Sequence, residues 1–184
     1  MKGRGAGIES QTHRENSSNV KVYVASPLGF AESTKLFMSE RLFPVLRKTG
    51  VIILDPWDAP AEIERGISQA KGLVNLTKRR AAWKKITLKL GSRNAELIRN
   101  AQGVVAVLDG VDVDSGTAAE IGYATALGKW VVGYRGDFRR TGEDETSEVN
   151  LQVEYFILKN GGCIVHSLDE LEKEITRMTK AKKA

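Results

Sequence analysis

Cysteine, histidine and proline are scarce in this chain: one, two and four copies respectively in 184 residues. A lone cysteine, Cys163, excludes an intrachain disulfide and fits a reducing compartment. His13 and His166 have no carboxylate or cysteine at ligand spacing, so no zinc or other metal site is expected. No apolar run approaches the ~20 residues that a membrane-spanning helix needs. Residues 1–19 lack the apolar stretch of a secretory signal, and the expectation is a cytoplasmic protein. Also missing are a Gly-x4-Gly-Lys-Ser/Thr phosphate loop and a Gly-x-Gly-x-x-Gly turn after the first strand, the usual backbone cradles for ATP and NAD. No serine sits in a nucleophile elbow. No organic cofactor is implied, and what remains is carboxylate chemistry.

The hydrophobic fraction, 41%, is ordinary for a globular chain with enough length for a proper core. Residues 1–19 are polar and without periodicity, which predicts a disordered tail, and residues 20–184 are expected to form one domain. The net charge of +5 raises the question of a nucleic-acid partner. The cations cluster at Lys78, Arg79, Arg80, Lys84, Lys85, Lys89 and Arg93, and again in a tail of Lys180, Lys182 and Lys183. The first group alternates with Leu76, Trp83, Ile86, Leu88 and Leu90, as on a helix with one solvated face, so nucleic acid is not the expected partner. Attraction of anionic substrates is the other use for such a face.

Five short apolar runs read as strands: Val20–Ala25, Val51–Leu54, Val104–Leu108, Trp130–Tyr134 and Cys163–Val165. Their lack of alternation suits strands buried on both faces of a parallel sheet. Helical patterns separate them. Ala31–Lys48 should be kinked or divided by Pro44 and stopped by Gly50. Ala61–Leu90 is helical but interrupted at Gly66 and Gly72. Ser92 or Asn94 is expected to cap a following helix ending near Gln102-Gly103. Ser167 and Glu170 read as the capping box of the last helix. Alternating strands and helices imply a three-layer α/β/α sandwich. The polar stretch Arg135–Asn150 is longer than a routine connection, as functional or mobile loops are.

The segment Asp112–Ala124 carries the most chemical information. It joins an apolar strand to a helix-like run, so its acidic residues fall at the carboxyl edge of the sheet, where open α/β proteins bind ligands. Glu120 is expected in the first turn of that helix, kept ionised by the helix dipole and suited to act as a nucleophile. Asp114 stands six positions earlier, and Gly116 lets a ligand approach the backbone. Acidic residues at helix starts also serve simply as caps. On the second strand's edge, Trp57 could stack on a flat ring and Asp58 or Asp55 could accept N–H groups of a ligand, unless Trp57 merely covers the core. Ser26 lies in a small-residue turn after the first strand.

Tyr23-Val24-Ala25-Ser26-Pro27, Arg93-Asn94-x3-Ile98 and Asp114-Ser115-Gly116-Thr117-x2-Glu120-Ile121-Gly122-Tyr123-Ala124 resemble the nucleoside 2-deoxyribosyltransferases. The resemblance runs from about Val20 to the last strand. It implies a flavodoxin-like five-stranded parallel sheet and exchange of bases between 2'-deoxynucleosides, in nucleotide salvage, through a covalent intermediate on Glu120. Asp114 then lies beside the sugar or base, and Tyr23 hydrogen-bonds the nucleophile unless it is only a buried strand tyrosine. Asn150 corresponds to an asparagine lent by a neighbouring subunit, which implies a homo-oligomer. Many relatives carry aspartate where Asn94 stands; an amide cannot exchange a proton as a carboxylic acid does, which leaves Asn94 to orient the sugar or base, or to cap a helix, and shifts the acid role to Asp114. The alternatives are a hydrolase of deoxynucleoside 5'-monophosphates and a non-catalytic nucleotide-binding module.

Overall fold

The structure, a computed structural model, describes residues 20–181; the expected tail at residues 1–19 and Lys182 and Lys183 lie outside the described residues. Five parallel strands form one sheet in the order β2-β1-β3-β4-β5: β1 Lys21–Ala25, β2 Ile52–Leu54, β3 Gly103–Val107, β4 Trp130–Tyr134 and β5 Cys163–Val165. All five strand expectations are met to within a residue at each end. Every residue of β3 and β4 is buried, which is why these runs show no apolar-polar alternation. The edges are kept short, with three residues each in β2 and β5.

Side-chain alternation divides the core. Val22, Val24, Val105, Val107 and Val132 point to one face, where they meet Met38, Leu42, Phe43 and Leu46 together with Leu171, Ile175 and Met178. Those partners come from the segment made of α1 (Glu32–Phe37), a wider turn (Met38–Leu42) and α2 (Phe43–Lys48), and from α7 (Leu168–Ala181). Tyr23, Ala25, Val104, Ala106 and Val131 point to the other face and meet Ile98, Ile121, Ala124, Val153 and Ile157. These belong to α4 (Leu76–Asn100), α5 (Ser115–Ala126) and α6 (Leu151–Lys159). The result is the expected three-layer α/β/α sandwich with the flavodoxin-like strand order. The chain leaves β1 toward one face and β3 toward the other, so a crevice opens between their carboxyl ends.

Helix boundaries depart from the sequence reading in informative ways. Pro44 does divide its helix, through a π-turn in which the Phe43 N–H reaches the Met38 carbonyl. Proline lacks an N–H and crowds the carbonyl four residues back, and the wider turn accommodates both. Gly66 does not interrupt α3 (Ala61–Gly72): it faces Ile86 of α4, leaving about one side chain's width between the helices. Neither Ser92 nor Asn94 caps anything. Helix α4 starts at the cap Asn75, whose side chain accepts from the Lys78 N–H at 3.0 Å, and runs unbroken to Asn100. It continues through the exposed Gly91, with α3 on one part of its length and α5 and β1 on another, although a helical glycine costs about 1 kcal/mol relative to alanine. At α7, Ser167 Oγ accepts from the Glu170 N–H at 3.2 Å, while the Glu170 carboxylate accepts from the His166 N–H at 2.8 Å, one residue earlier than in the usual box.

The stretch between β4 and α6 has no regular structure and is organised by its own polar groups. Arg135 is 2% exposed, and its guanidinium donates to the carbonyls of Leu108 (2.6 Å), Gly110 (3.5 Å) and Arg139. A cationic donor thus closes off the backbone acceptors at the end of β3. Glu143 holds the Asn150 amide at 2.5 Å and the Leu151 N–H at 2.7 Å. Replacing Arg135 by methionine strands these buried carbonyls. We expect a loss of about 2–3 kcal/mol in urea unfolding, with faster proteolysis between residues 136 and 149.

Candidate functional site

The crevice between β1 and β3 gathers side chains from three elements, β1, α4 and α5. Tyr23 is the middle residue of β1, fully buried, and pairs in register with Leu54 on one side and Val104 on the other. Its hydroxyl donates to Glu120 Oε1 at 2.6 Å, joining β1 to α5. Asn94, inside α4, directs Nδ2 to the same oxygen at 3.5 Å. Asn94 Oδ1 is buried without a partner. Glu120 Oε2 has no hydrogen-bond partner among the described residues and is not enclosed. One carboxylate oxygen is therefore held by two donors and the other is left open.

Helix α5 begins at Ser115, which puts Glu120 in the second turn and corrects the expectation that it lies in the first. The helix dipole acts mainly within the first turn, so it is not what governs this carboxyl. Burial pushes the Glu120 pKa above the ordinary glutamate value, the hydrogen bonds from Tyr23 and Asn94 pull it back, and the charge of Asp114 pushes it up again. Burial, followed by the Glu120 charge and hydrogen bond, drives the Tyr23 hydroxyl far above the ordinary tyrosine range, so it remains a donor.

Asp114 caps α5. Its Oδ2 accepts from the Thr117 N–H at 3.0 Å and the Thr117 hydroxyl at 3.3 Å. Gly116 fits beneath that cap: a Cβ there would lie 3.1 Å from Asp114 Oδ2. The capping alternative and closeness to Glu120 thus hold together for Asp114.

The β2 edge is joined to the loop that follows β1. Trp57 lies against Gly29, where a Cβ would come within 2.2 Å of its ring, and meets Phe30 edge-on at 4.6 Å. Its indole N–H donates to the Ser26 carbonyl at 3.1 Å. Ser26 is buried, and its hydroxyl accepts from the Leu28 N–H at 3.0 Å. Trp57 and Ser26 therefore lock the β1 and β2 loops together. Asp58 offers its backbone carbonyl to Arg93, which also donates to the Pro56 carbonyl at 3.1 Å. The sequence shows Arg93 as part of a basic cluster and a motif but not as this clamp, because its partners are main-chain atoms distant in the chain. Asn150 is not brought to the group: Oδ1 caps α6 through the N–H groups of Gln152 (3.1 Å) and Val153 (3.4 Å), and Nδ2 is held by Glu143.

A cleft of about 320 Å³ opens elsewhere, between α3 and α4, but Glu62, Arg65, Gln69, Lys85 and Lys89 on its walls are exposed side chains. Buried, coupled ionisable groups mark the β1–β3 crevice more strongly than volume marks that cleft. Among the described residues no three or more histidines, cysteines or carboxylates are grouped to hold a metal ion. No helix among them is long and apolar enough to cross a membrane.

No curated protein matches this chain. Among solved structures it is similar to a conserved protein from Enterococcus faecalis, at 25% identity and a TM-score of 0.60, covering 87% of this chain and 99% of the other. It is also similar in fold to a 2-desoxiribosyltransferase from Leishmania mexicana, at 20% identity and a TM-score of 0.52, covering 88% and 97%. The sequence matches the family described as nucleoside 2-deoxyribosyltransferase over residues 22–152, and these residues hold every member of the Tyr23, Asn94, Asp114 and Glu120 group. The chain belongs to the nucleoside 2-deoxyribosyltransferase family.

Proposed function

We propose that the protein moves 2-deoxyribose from one nucleobase to another, with Glu120 as the nucleophile. The observation that carries this reading is the asymmetry of its carboxylate: Tyr23 and Asn94 hold Oε1, and Oε2 is open. Cleavage of an N-glycosidic bond builds positive charge at C1', which an adjacent carboxylate both stabilises and captures. Oε2 attacks C1' as the base departs; a second base then displaces the carboxylate, and two inversions restore the configuration. Tyr23 orients the nucleophile. Asn94 Oδ1, buried and unpartnered, accepts a hydroxyl or N–H of the substrate, and Asp114 lies beside the sugar. Trp57 borders the base without presenting a free indole N–H.

A homo-oligomer completes this reading. Leu151, Tyr155 and Leu158 are each more than half exposed and fall at i, i+4 and i+7 of α6, directly after Asn150. A second copy covering this stripe would carry Asn150 toward a neighbouring site. Light scattering should give a dimer or larger species, and Tyr155→Glu should dissociate it with loss of activity; a fully active monomer overturns the shared site.

Incubation with thymidine and adenine should yield deoxyadenosine. Glu120→Ala should lower turnover on the order of a thousandfold or more while still binding nucleoside. Base release without transfer, above all from a 5'-monophosphate, would instead mark a hydrolase. Because burial raises the Glu120 pKa and the reactive form is the carboxylate, activity is lost as pH falls through that raised value. The acid limb should therefore lie above the range of an ordinary glutamate. Tyr23→Phe removes a donor that favours the carboxylate, so the limb should move to still higher pH and kcat should fall about tenfold.

A further inference from the structure

Transfer between bases needs a group that gives a proton to the departing base and takes one from the arriving base. Resting on the transfer reading, three candidates can be weighed by their contacts. Asn94 is an amide and has no proton to exchange. Asp114 holds the N-terminus of α5 through Oδ2 and acts on Glu120 as a negative charge. Asp58 is exposed, tied to the site through its main-chain carbonyl.

Asp55 is placed otherwise. It follows Leu54, the residue of β2 in register with Tyr23, and so stands at the carboxyl edge one step beyond the tyrosine that holds the nucleophile. It is half-buried. Its Oδ1 accepts from the Trp57 N–H at 2.9 Å, and Oδ2 has no hydrogen-bond partner among the described residues. The same loop is pinned to α4 by Arg93 through the carbonyls of Pro56 and Asp58. We propose that Asp55 is the general acid and base of the exchange, acting on a ring nitrogen of the nucleobase.

In the first half, Glu120 Oε2 bonds to C1', the C1'–N bond breaks with its electron pair passing to the base, and the Asp55 proton goes to a ring nitrogen. In the second half, the incoming base bonds through nitrogen to C1', its N–H proton passes to the Asp55 carboxylate, and Glu120 is released. Burial favours the neutral acid and raises the Asp55 pKa; the Trp57 N–H and the Arg93 charge from α4 oppose this, and Asp58 on its own loop adds to it. The Asp55 charge also acts on the Tyr23 hydroxyl of the adjacent strand β1.

The test compares two donors, 2'-deoxyadenosine and 7-methyl-2'-deoxyguanosine, whose cationic base leaves without a proton. Asp55→Asn retains an acceptor for the Trp57 N–H. In single turnovers without an acceptor base, it should slow base release from deoxyadenosine about 100-fold while changing release from the 7-methyl donor by no more than about threefold. Equal slowing of both donors in an otherwise active enzyme overturns the assignment alone, as does a donor-selective loss in Asp114→Asn instead. A parent protein inert toward both donors fails the transfer reading itself and takes the assignment with it. In the unsubstituted protein, single-turnover base release from deoxyadenosine should fall on the alkaline side as Asp55 loses its proton, with no such fall for the 7-methyl donor. Parallel profiles overturn the proposal even if the variant does not fold.

Discussion

The hydrogen bond from Tyr23 to Glu120 spans 97 positions of sequence and fixes the geometry of everything around it. It forms only because β1 lies between β2 and β3, with Tyr23 directed to the face that α4 and α5 cover. A shift of one residue in the register of β1 would turn Tyr23 into the opposite core and leave a half-buried carboxylate without its nearest donor. Burying an ionised group is costly unless hydrogen bonds offset the lost water. Tyr23 and Asn94 supply those bonds on one oxygen only, so the arrangement stabilises the charge without closing the reactive side.

The second constraint is that the crevice walls are fastened to one another by backbone acceptors. Trp57 binds the Ser26 carbonyl, Arg93 binds those of Pro56 and Asp58, and Arg135 binds those of Leu108 and Gly110. Each uses a long side chain to close the open carbonyls at a strand end, where the ladder can no longer satisfy them. The loops that line the site are thereby held to the sheet.

Much of this was legible in the sequence, and what was not follows a physical pattern. The strands were readable because burial on both faces produces continuous apolar runs. The group of Tyr23, Asn94 and Glu120 was reached through motif resemblance, and the hydrogen bonds now join its members. Helix ends were read less well. Ser92 and Asn94 look like caps, yet α4 starts at the Asn75 cap and runs past them to Asn100. Glu120 looked like a first-turn residue because the start at Ser115, set by the Asp114 cap, could not be located from composition. The Arg93 clamp was invisible for another reason: carbonyl acceptors carry no sequence signature. Asn150 is held within its own chain at the start of α6, and the role that the motif implies for it concerns a neighbouring copy.

The π-turn at Met38–Leu42 has a consequence for how the family could vary. It holds one residue more than an α-helical turn, so α1 and α2 are out of phase by roughly the 100° that one residue adds. In this phase the Phe37 ring lies nearly parallel to Tyr134, 6.0 Å away and 25° inclined. Losing a single residue from the turn would regularise the helix and swing Phe37 off β4 toward solvent. The irregular turn is thus a length marker: natural variation in this stretch should substitute side chains freely but conserve the residue count between Phe37 and Pro44.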